Sequence, residues 1–186
     1  MRVISGTAKG RRLASFHGDR IRPTADRIKE ALFNILNSSF GSLEDRQVLD
    51  LFSGTGNLGI EALSRGAAKA VFIDENPKSV AILKKNIDIC GFAGRSEIII
   101  STVEAGIRIL SRKGYRFNLV FLDPPYGKGL VTKTLNDLAN DTILEEEAIV
   151  IAEHSSREVP PDEYGYLTLS DRRKYGDTGV SLYIYE

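Results

Sequence analysis

From about residue 47 onward, short apolar runs alternate with segments of helical periodicity. This pattern predicts strands at 48–52, 70–74, 97–100, 119–122 and 148–153, separated by helices near 57–65, 77–90, 103–112 and 129–140. A strand–helix series of this kind folds into a parallel sheet, because each helix carries the chain back to the start of the next strand. The alternation therefore predicts an α/β fold with helices on both faces of the sheet.

The C-terminal part of the chain departs from this series. Residues 166–169 and 180–185 alternate as strands do, and the polar stretch 170–179 between them has no room for a crossover helix. We therefore predict an antiparallel pair of strands that closes one edge of the sheet.

The N-terminal part also lies outside the series. Residues 1–5 and 11–16 predict a short hairpin around 8–10. Thr24 can then cap a helix, and the apolar face of that helix comprises Ile28, Leu32, Ile35 and Leu36.

The composition limits the kinds of site that the chain can build. With 186 residues and 42% hydrophobic content, the chain is sized for one domain with a real core. Its single cysteine, Cys90, excludes an internal disulfide, and with only His17 and His154 beside it a zinc or iron site is disfavoured. No apolar run resembles a signal-peptide core or a membrane helix. We therefore predict a cytoplasmic protein with neither a metal nor a membrane partner.

A glycine-rich loop, Gly54-x-Gly56-x-x-Gly59, lies between the first predicted strand and the following helix. Glycines in this context let the backbone approach a nucleotide, and Asp74 at the end of the second strand can accept both ribose hydroxyls. These features suit NAD, FAD and S-adenosylmethionine alike, and a ligand-free turn with Asp74 as a helix cap is a further alternative. Asp50 favours S-adenosylmethionine, because its carboxylate can face an ammonium group and would repel a pyrophosphate.

The motif Asp123-Pro-Pro-Tyr126 follows the fourth predicted strand and indicates chemistry at an amine. The lone pair of an exocyclic amine on a base is delocalised into the ring, so its methylation requires firm positioning. The Asp123 carboxylate and the Pro124 carbonyl can accept the two N–H groups, and the two prolines stiffen the turn. Tyr126 offers a face on which a base can stack. A rigid turn with a buried tyrosine is the alternative, and the presence of the glycine loop about seventy residues upstream favours amine methylation.

Positive charge is concentrated at the N-terminus, although the whole chain is formally neutral. Residues 1–29 carry eight basic and two acidic residues, whereas the remaining 157 residues carry 17 basic and 23 acidic ones. This segment indicates contacts with the phosphates of a nucleic acid, and a solvated arm without a partner is the alternative.

Taken together, these motifs resemble the bacterial methyltransferases that modify the N2 amine of a guanine in small-subunit (16S) ribosomal RNA. The resemblance covers nearly the whole chain and is carried by Met1-Arg-Val-Ile-Ser-Gly6 with Lys9-Gly-Arg11, Arg22-Pro-Thr24, Glu30-Ala-Leu-Phe33, the glycine loop with Glu61-Ala-Leu-Ser-Arg65, Asp123-Pro-Pro-Tyr126 and Tyr175-Gly-Asp-Thr-Gly179. It implies a Rossmann-like, S-adenosylmethionine-dependent methyltransferase fold, with a mostly parallel seven-stranded sheet and an antiparallel C-terminal strand. Residues 1–186 would form one domain, with a basic extension at 1–40 and a catalytic core at 45–186.

The resemblance also implies the site residues and the partners. S-adenosylmethionine would be bound by Asp50, Phe52, Gly54, Thr55, Gly56, Asp74, Thr102 and Val103. The guanine would be held by Asp123, Pro124, Pro125 and Tyr126, and the RNA by Lys9, Arg11, Arg12, Arg22 and Thr24. The substrate would be small-subunit ribosomal RNA, free or within a 30S particle, and the enzyme would be a monomer. In one departure, such enzymes commonly place an acid after the third strand to meet the adenine amine, whereas this chain has Thr102 and Val103.

Three other functions share some of these features. An N6-adenine methyltransferase acting on DNA or RNA would use the same Asp-Pro-Pro-Tyr logic, although DNA enzymes usually add a recognition region for which 186 residues leave little space. A noncatalytic RNA-binding protein could retain the fold without the cofactor, but the intact Asp50, glycine loop and Asp123 argue against it. An NAD-dependent dehydrogenase is disfavoured because no acid or base for hydride transfer stands out.

Overall fold

In the computed structural model, residues 1–16 and 23–186 are described. The helices are α1 (Pro23–Phe40), α2 (Asn57–Ser64), α3 (Pro77–Cys90), α4 (Val103–Arg112) and α5 (Leu130–Ala139), with a 3-10 turn at Ala93–Arg95. The strands are β1 (Gln47–Leu51), β2 (Lys69–Asp74), β3 (Ser96–Ile100), β4 (Phe117–Leu122), β5 (Leu144–Ser155), β6 (Glu163–Tyr164), β7 (Leu167–Tyr175) and β8 (Thr178–Tyr185). No helix among these residues is long and apolar enough to cross a membrane.

The strands form one sheet in the order β3-β2-β1-β4-β5-β8-β7-β6. Strands β1 to β5 run parallel, and β8, β7 and β6 are added antiparallel at one edge, which confirms the predicted architecture. The order reverses between β1 and β4, and open α/β sheets bind ligands outside the carboxyl ends of the strands at such a point. A ligand site is therefore expected at the residues that follow β1 and β4.

The sheet differs from the predicted one in strand number and strand length. It has eight strands in the described residues, because the two-residue β6 pairs with β7. Strand β7 continues through the polar stretch that we expected to be a connection, and it turns into β8 at Gly176 and Asp177. A strand near the edge of a sheet faces solvent along much of its length, so polar residues do not interrupt its pairing.

Apolar side chains alternate between the two faces of the sheet. Val48, Phe72 and Phe121 pack with α1, α2 and α3 on one face, whereas residues such as Leu49 and Val120 pack with α4 and α5 on the other. The predicted apolar face of α1 is confirmed, since Ile28, Leu32, Ile35 and Leu36 are all buried.

The predicted N-terminal hairpin is confirmed by its backbone hydrogen bonds. The N–H of Val3 donates to the carbonyl of Arg11 at 3.0 Å, and the N–H of Gly10 donates to Val3 at 2.9 Å. Helix α1 begins at Pro23, so Thr24 lies inside its first turn and not at the predicted cap position. A proline suits the first helical position because it lacks the N–H that would have no partner there.

A buried charged network attaches this hairpin to α2. The carboxylate of Glu61 accepts hydrogen bonds from the backbone N–H groups of Ile4 at 2.8 Å and Ser5 at 3.0 Å. Arg65 donates to the same carboxylate at 2.8 Å, and the Lys29 ammonium lies 3.3 Å from it. Because α2 begins at Asn57, within the Gly54-x-Gly56-x-x-Gly59 motif, the network couples the N-terminal extension to the glycine loop.

Candidate active site

A cavity of about 560 Å³ opens at the carboxyl ends of the parallel strands. It brings together residues from four separate segments that the sequence analysis assigned to the site. These are Phe52, Asp74, Thr102, Val103, Asp123 and Pro125. The topology therefore places four of the eight predicted cofactor residues and two of the four Asp-Pro-Pro-Tyr residues around one space. The remaining predicted residues do not line this cavity, and these are Asp50, Gly54, Thr55, Gly56, Pro124 and Tyr126.

The glycine loop forms a tight turn in which side chains are restricted. Phe52, Gly54 and Gly56 have φ values of 56°, 54° and 85°, in the left-handed region that favours glycine. A Cβ on Gly56 would lie 2.4 Å from Cδ1 of Leu83, so a side chain here would force the Leu83 side chain to move and would also be strained by the positive φ. Phe52 has a left-handed backbone conformation although it is not a glycine, and its side chain lines the cavity.

Asp50 is almost completely buried beneath this loop, at 2% exposure. One of its oxygens accepts a hydrogen bond from the N–H of Gly59 at 2.8 Å. Burial raises the pKa of Asp50 to about 8, the Gly59 bond opposes this shift, and the charge of Asp74 adds to it. A cation brought close to Asp50 would lower its pKa again, which is the behaviour expected of a carboxylate that faces a ligand ammonium.

Asp74 holds the turn between β2 and α3 and also lines the cavity. Its two oxygens accept hydrogen bonds from the N–H groups of Gly54 at 2.7 Å and Asn76 at 2.8 Å. Asn76, and not Asp74, caps α3 through Lys78. Since each carboxylate oxygen has two lone pairs, both oxygens of Asp74 can accept ligand hydroxyls in addition to these bonds.

The wall after β3 is formed by the start of α4. The Thr102 hydroxyl caps this helix by accepting from the N–H of Ala105 at 3.3 Å, and Val103 occupies the first helical position. Glu104, which the sequence analysis did not assign, lines the same cavity and interacts with Arg108 at 2.9 Å and Lys133 at 2.7 Å. An acid is therefore present on this wall, directly after Val103.

The Asp-Pro-Pro-Tyr turn follows β4 and exposes an aromatic ring. Pro124 is buried, whereas Tyr126 is 44% exposed, so the alternative of a rigid turn around a buried tyrosine does not describe it. The hydroxyl of Tyr126 donates to Oε1 of Glu153 at 2.8 Å and lies 3.3 Å from the Thr178 hydroxyl. Anchored in this way, the ring presents a fixed surface to a planar ligand.

Glu153 lies beside Asp123 on the neighbouring strand. Leu122 of β4 is opposite Ala152 of β5, so the next residues along these parallel strands are Asp123 and Glu153. Although Asp123 is exposed to the cleft, burial of its carboxylate and the charges of Glu153 and Asp50 raise its pKa well above the usual range. Burial also raises the pKa of Glu153, and the bond from Tyr126 opposes that shift. The two carboxylates therefore disfavour each other's ionisation in the free protein.

The basic residues of the hairpin are displayed on the surface. Lys9, Arg11 and Arg12 are all exposed, and the Arg11 guanidinium donates to the carbonyl of Ile89. Arg22 lies outside the described residues, and Thr24 lies in the first turn of α1.

The buried side chain of Asn86 joins the chain after the hairpin to the glycine loop. Its amide group donates to the carbonyls of Ala14 at 3.0 Å and Thr55 at 2.9 Å. Its oxygen accepts from the N–H of Ala14 at 2.7 Å. The chain that leaves the basic hairpin thus runs directly beside the loop of the candidate site.

A parallel sheet that reverses its order beside a glycine loop is shared by dinucleotide-binding Rossmann folds and by the Rossmann-like, S-adenosylmethionine-dependent methyltransferases. A solved structure titled "Putative methyltransferase yhhF from Escherichia coli" has this fold and matches with a TM-score of 0.83. It is 34% identical in sequence, and the match covers 100% of this chain and 98% of that one. The fold of the present chain is that of this class.

The family model described as "Conserved hypothetical protein 95" matches residues 1–184. The chain belongs to this family. The "Ribosomal RNA small subunit methyltransferase D" of Escherichia coli K12 is 34% identical over 183 residues, which cover 98% of this chain and 89% of that protein. A Bacillus subtilis protein named "Putative rRNA methyltransferase YlbH" is 35% identical over 183 residues, 98% of each chain.

Proposed function

We propose that this protein transfers a methyl group from S-adenosylmethionine to the exocyclic N2 amine of a guanine in small-subunit (16S) ribosomal RNA. The observation that carries the proposal is that Asp123 and Asp74 line one cavity, with the ring of Tyr126 exposed in the turn that begins at Asp123. The relationship to ribosomal RNA small subunit methyltransferase D supports the choice of RNA.

The residues around the cavity suit S-adenosylmethionine in size and chemistry. A volume of about 560 Å³ is within the range of small-molecule sites. Asp74 would accept the ribose hydroxyls, and Asp50, a buried acid beneath the loop, would face the ammonium. Phe52, Thr102 and Val103 supply apolar and backbone surface for the remainder of the cofactor. When bound, S-adenosylmethionine supplies an electrophilic methyl group on a sulfonium centre.

The Asp-Pro-Pro-Tyr turn orients the amine. The Asp123 carboxylate accepts one N–H of the guanine amine, and the carbonyl of Pro124 accepts the other. The exposed ring of Tyr126, held by Glu153 and Thr178, stacks against the base. Asp123 can also accept the proton that the amine loses, since its pKa already lies well above the usual range for a carboxyl group. Positioning of this kind, together with charge complementarity, accounts for much of the rate enhancement by enzymes.

The N-terminal extension binds the RNA backbone beside the target guanine, which must be flipped out of its stack to reach the site. Lys9 and Arg12 are exposed on the hairpin, and Asn86 holds the following chain next to the glycine loop. Phosphate contacts there would offset part of the few kcal/mol that unstacking a base costs. We further propose that the enzyme acts in the cytoplasm as a monomer, on free ribosomal RNA or on an assembling 30S particle.

The proposal is tested with a labelled methyl donor and two substrates from a strain that lacks the enzyme. The protein and the labelled donor are incubated separately with naked small-subunit RNA and with small ribosomal subunits. The labelled position is then mapped, and the RNA is digested to nucleosides to identify the product. We expect one labelled position, recovered as N2-methylguanosine. Recovery of N6-methyladenosine would contradict the guanine assignment, and absence of label in both substrates would contradict the RNA assignment.

A further inference from the structure

We propose that Glu153 selects guanine by accepting a hydrogen bond from its N1–H while Asp123 and Pro124 hold the N2 amine, an inference that rests on the proposed function. Glu153 was not among the site residues deduced from the sequence. It is a specificity residue in this proposal, because it contacts the base edge beside the reacting amine.

The pairing of β4 with β5 places the two carboxylates side by side. Val120 lies opposite Val150, Phe121 opposite Ile151 and Leu122 opposite Ala152, in unbroken register up to the ends of these pairs. Asp123 directly follows β4, and Glu153 is the corresponding residue of β5. Asp123 lines the cavity, and the half-buried Glu153 lies beside it, outside the cavity lining. Neighbouring strands are about 4.8 Å apart, so side chains at the ends of two adjacent strands can converge on one edge of a single base.

Tyr126 fixes one oxygen of Glu153 and leaves the other available. Oε1 accepts the hydroxyl of Tyr126 at 2.8 Å, and Thr178 of β8 supports the same hydroxyl at 3.3 Å. Within the described part of the chain, no donor bonds to Oε2 and no cation pairs with this carboxylate. A base stacked on Tyr126 therefore meets an oriented carboxylate next to Asp123.

Two neighbouring carboxylates match guanine better than adenine. Guanine presents three adjacent N–H donors, two on N2 and one on N1, whereas adenine presents two on N6 beside an N1 lone pair. Each donor compensates the mutual repulsion of Asp123 and Glu153, and the adenine lone pair would instead face an acceptor. The same two acids would thus attract the proposed substrate and reject the base that other Asp-Pro-Pro-Tyr enzymes methylate.

The test uses RNA in which the mapped guanine is replaced by 2-aminopurine. This base retains the 2-amino group but has a lone pair at N1, so it lacks the donor that Glu153 would read. We expect the wild-type protein to prefer guanine in kcat/KM. Glu153→Gln should lower kcat/KM for guanine by about 10- to 150-fold, the range for one charge-assisted hydrogen bond. Its activity on 2-aminopurine should fall less or rise, because the glutamine amide can donate to N1.

The guanine to 2-aminopurine ratio is the decisive quantity, since loss of O6 affects both proteins alike. Glu145→Gln is the matched control, because Glu145 is an exposed acid at the other end of β5, and its ratio should equal that of wild type. Glu153→Asp retains the charge and should keep the preference for guanine even where total activity falls.

Several outcomes would overturn the inference. Equal losses on both bases in Glu153→Gln would mean that Glu153 only supports Tyr126, and unchanged rates on both bases would remove it from the site. If the wild-type protein methylated guanine and 2-aminopurine with similar kcat/KM, the inference would also be wrong, without the need for any variant. If wild type forms no N2-methylguanosine on native RNA, the proposed function itself fails, so the two failures are distinguishable.

Discussion

The ammonium of Lys29 lies 3.3 Å from the carboxylate of Glu61, and both side chains are almost completely buried, at 1% and 0% exposure. Lys29 also donates to the carbonyl of Arg2 at 2.7 Å and to Asn57 at 2.8 Å. Burial lowers the pKa of Lys29, and Glu61 opposes this shift. Helix α1 and helix α2 are thereby joined beneath the N-terminal hairpin by one charge pair.

Replacing Lys29 with Met should destabilise the protein by about 1–3 kcal/mol, because the Arg2 carbonyl and Asn57 lose their donor while Glu61 keeps its bond from Arg65. Urea denaturation of wild type and variant measures the difference. The control is Arg2→Gln, which removes an exposed ion pair to Asp26 and should cost at most about 1 kcal/mol. Equal losses in the two variants would contradict the importance of the buried pair.

Replacing Asp50 with Asn should stabilise the ligand-free protein at alkaline pH. The folded-state pKa of Asp50 is raised to about 8 from its ordinary value of 3.8, so its stabilising contribution is complete below the lower value and is lost as pH rises to the higher one. The advantage of the variant should therefore grow between these values, by up to about 1.4 kcal/mol per pH unit. Thermal or urea unfolding across this pH range checks the slope.

The same variant should bind S-adenosylmethionine more weakly, by about 10- to 150-fold, because the charge that faces the ammonium is gone. Calorimetry on wild type and Asp50→Asn measures this loss. A variant that is more stable and also binds as tightly as wild type would show that Asp50 serves only the loop.

Removing the two freely exposed hairpin cations, in Lys9→Ala with Arg12→Ala, should weaken RNA binding and leave cofactor affinity intact. Arg11 is kept because its guanidinium donates to the carbonyl of Ile89. The slope of log affinity against log salt should decrease in magnitude by about 0.7–0.9 for each phosphate that the variant no longer neutralises. Arg112→Ala with Arg116→Ala removes two exposed cations at and after the end of α4 and should leave the slope unchanged. If the hairpin variant had the same salt slope as the Arg112 and Arg116 variant, the hairpin would be solvated surface that does not contact RNA phosphates.

Replacing Asp123 with Asn should reduce the single-turnover rate by about 10²-fold, at the lower end of the range for removing one electrostatic interaction from a transition state. Asparagine keeps the size and one acceptor oxygen, whereas Asp123→Ala removes the acceptor and should abolish turnover. Cofactor affinity, measured in parallel, should change little in either variant. Full activity of the alanine variant would exclude Asp123 from catalysis.

Local periodicity was sufficient to predict most of the elements around the site. The helix predicted at 77–90 coincides with α3, Pro77–Cys90, because Asn76 and Gly91 provide a capping side chain and a left-handed terminus at its two ends. The strand predicted at 148–153 lies within β5 and ends at Glu153, yet its alternation did not reveal that this acid belongs beside Asp123. Edge strands were predicted less well, since β7 is stabilised by pairing with β8 and not by its own pattern.

The amino-acid sequence by itself determined the order of strands and helices, the glycine loop and the Asp-Pro-Pro-Tyr turn, because these depend on neighbouring residues and on backbone preferences. Only the tertiary structure decided that Glu153 lies next to Asp123, since this follows from the β4–β5 register. It likewise decided that Lys29 meets Glu61 and that Asp50 is buried under Gly59. Such contacts join residues that are distant in the chain, and their geometry depends on the packing of the whole core.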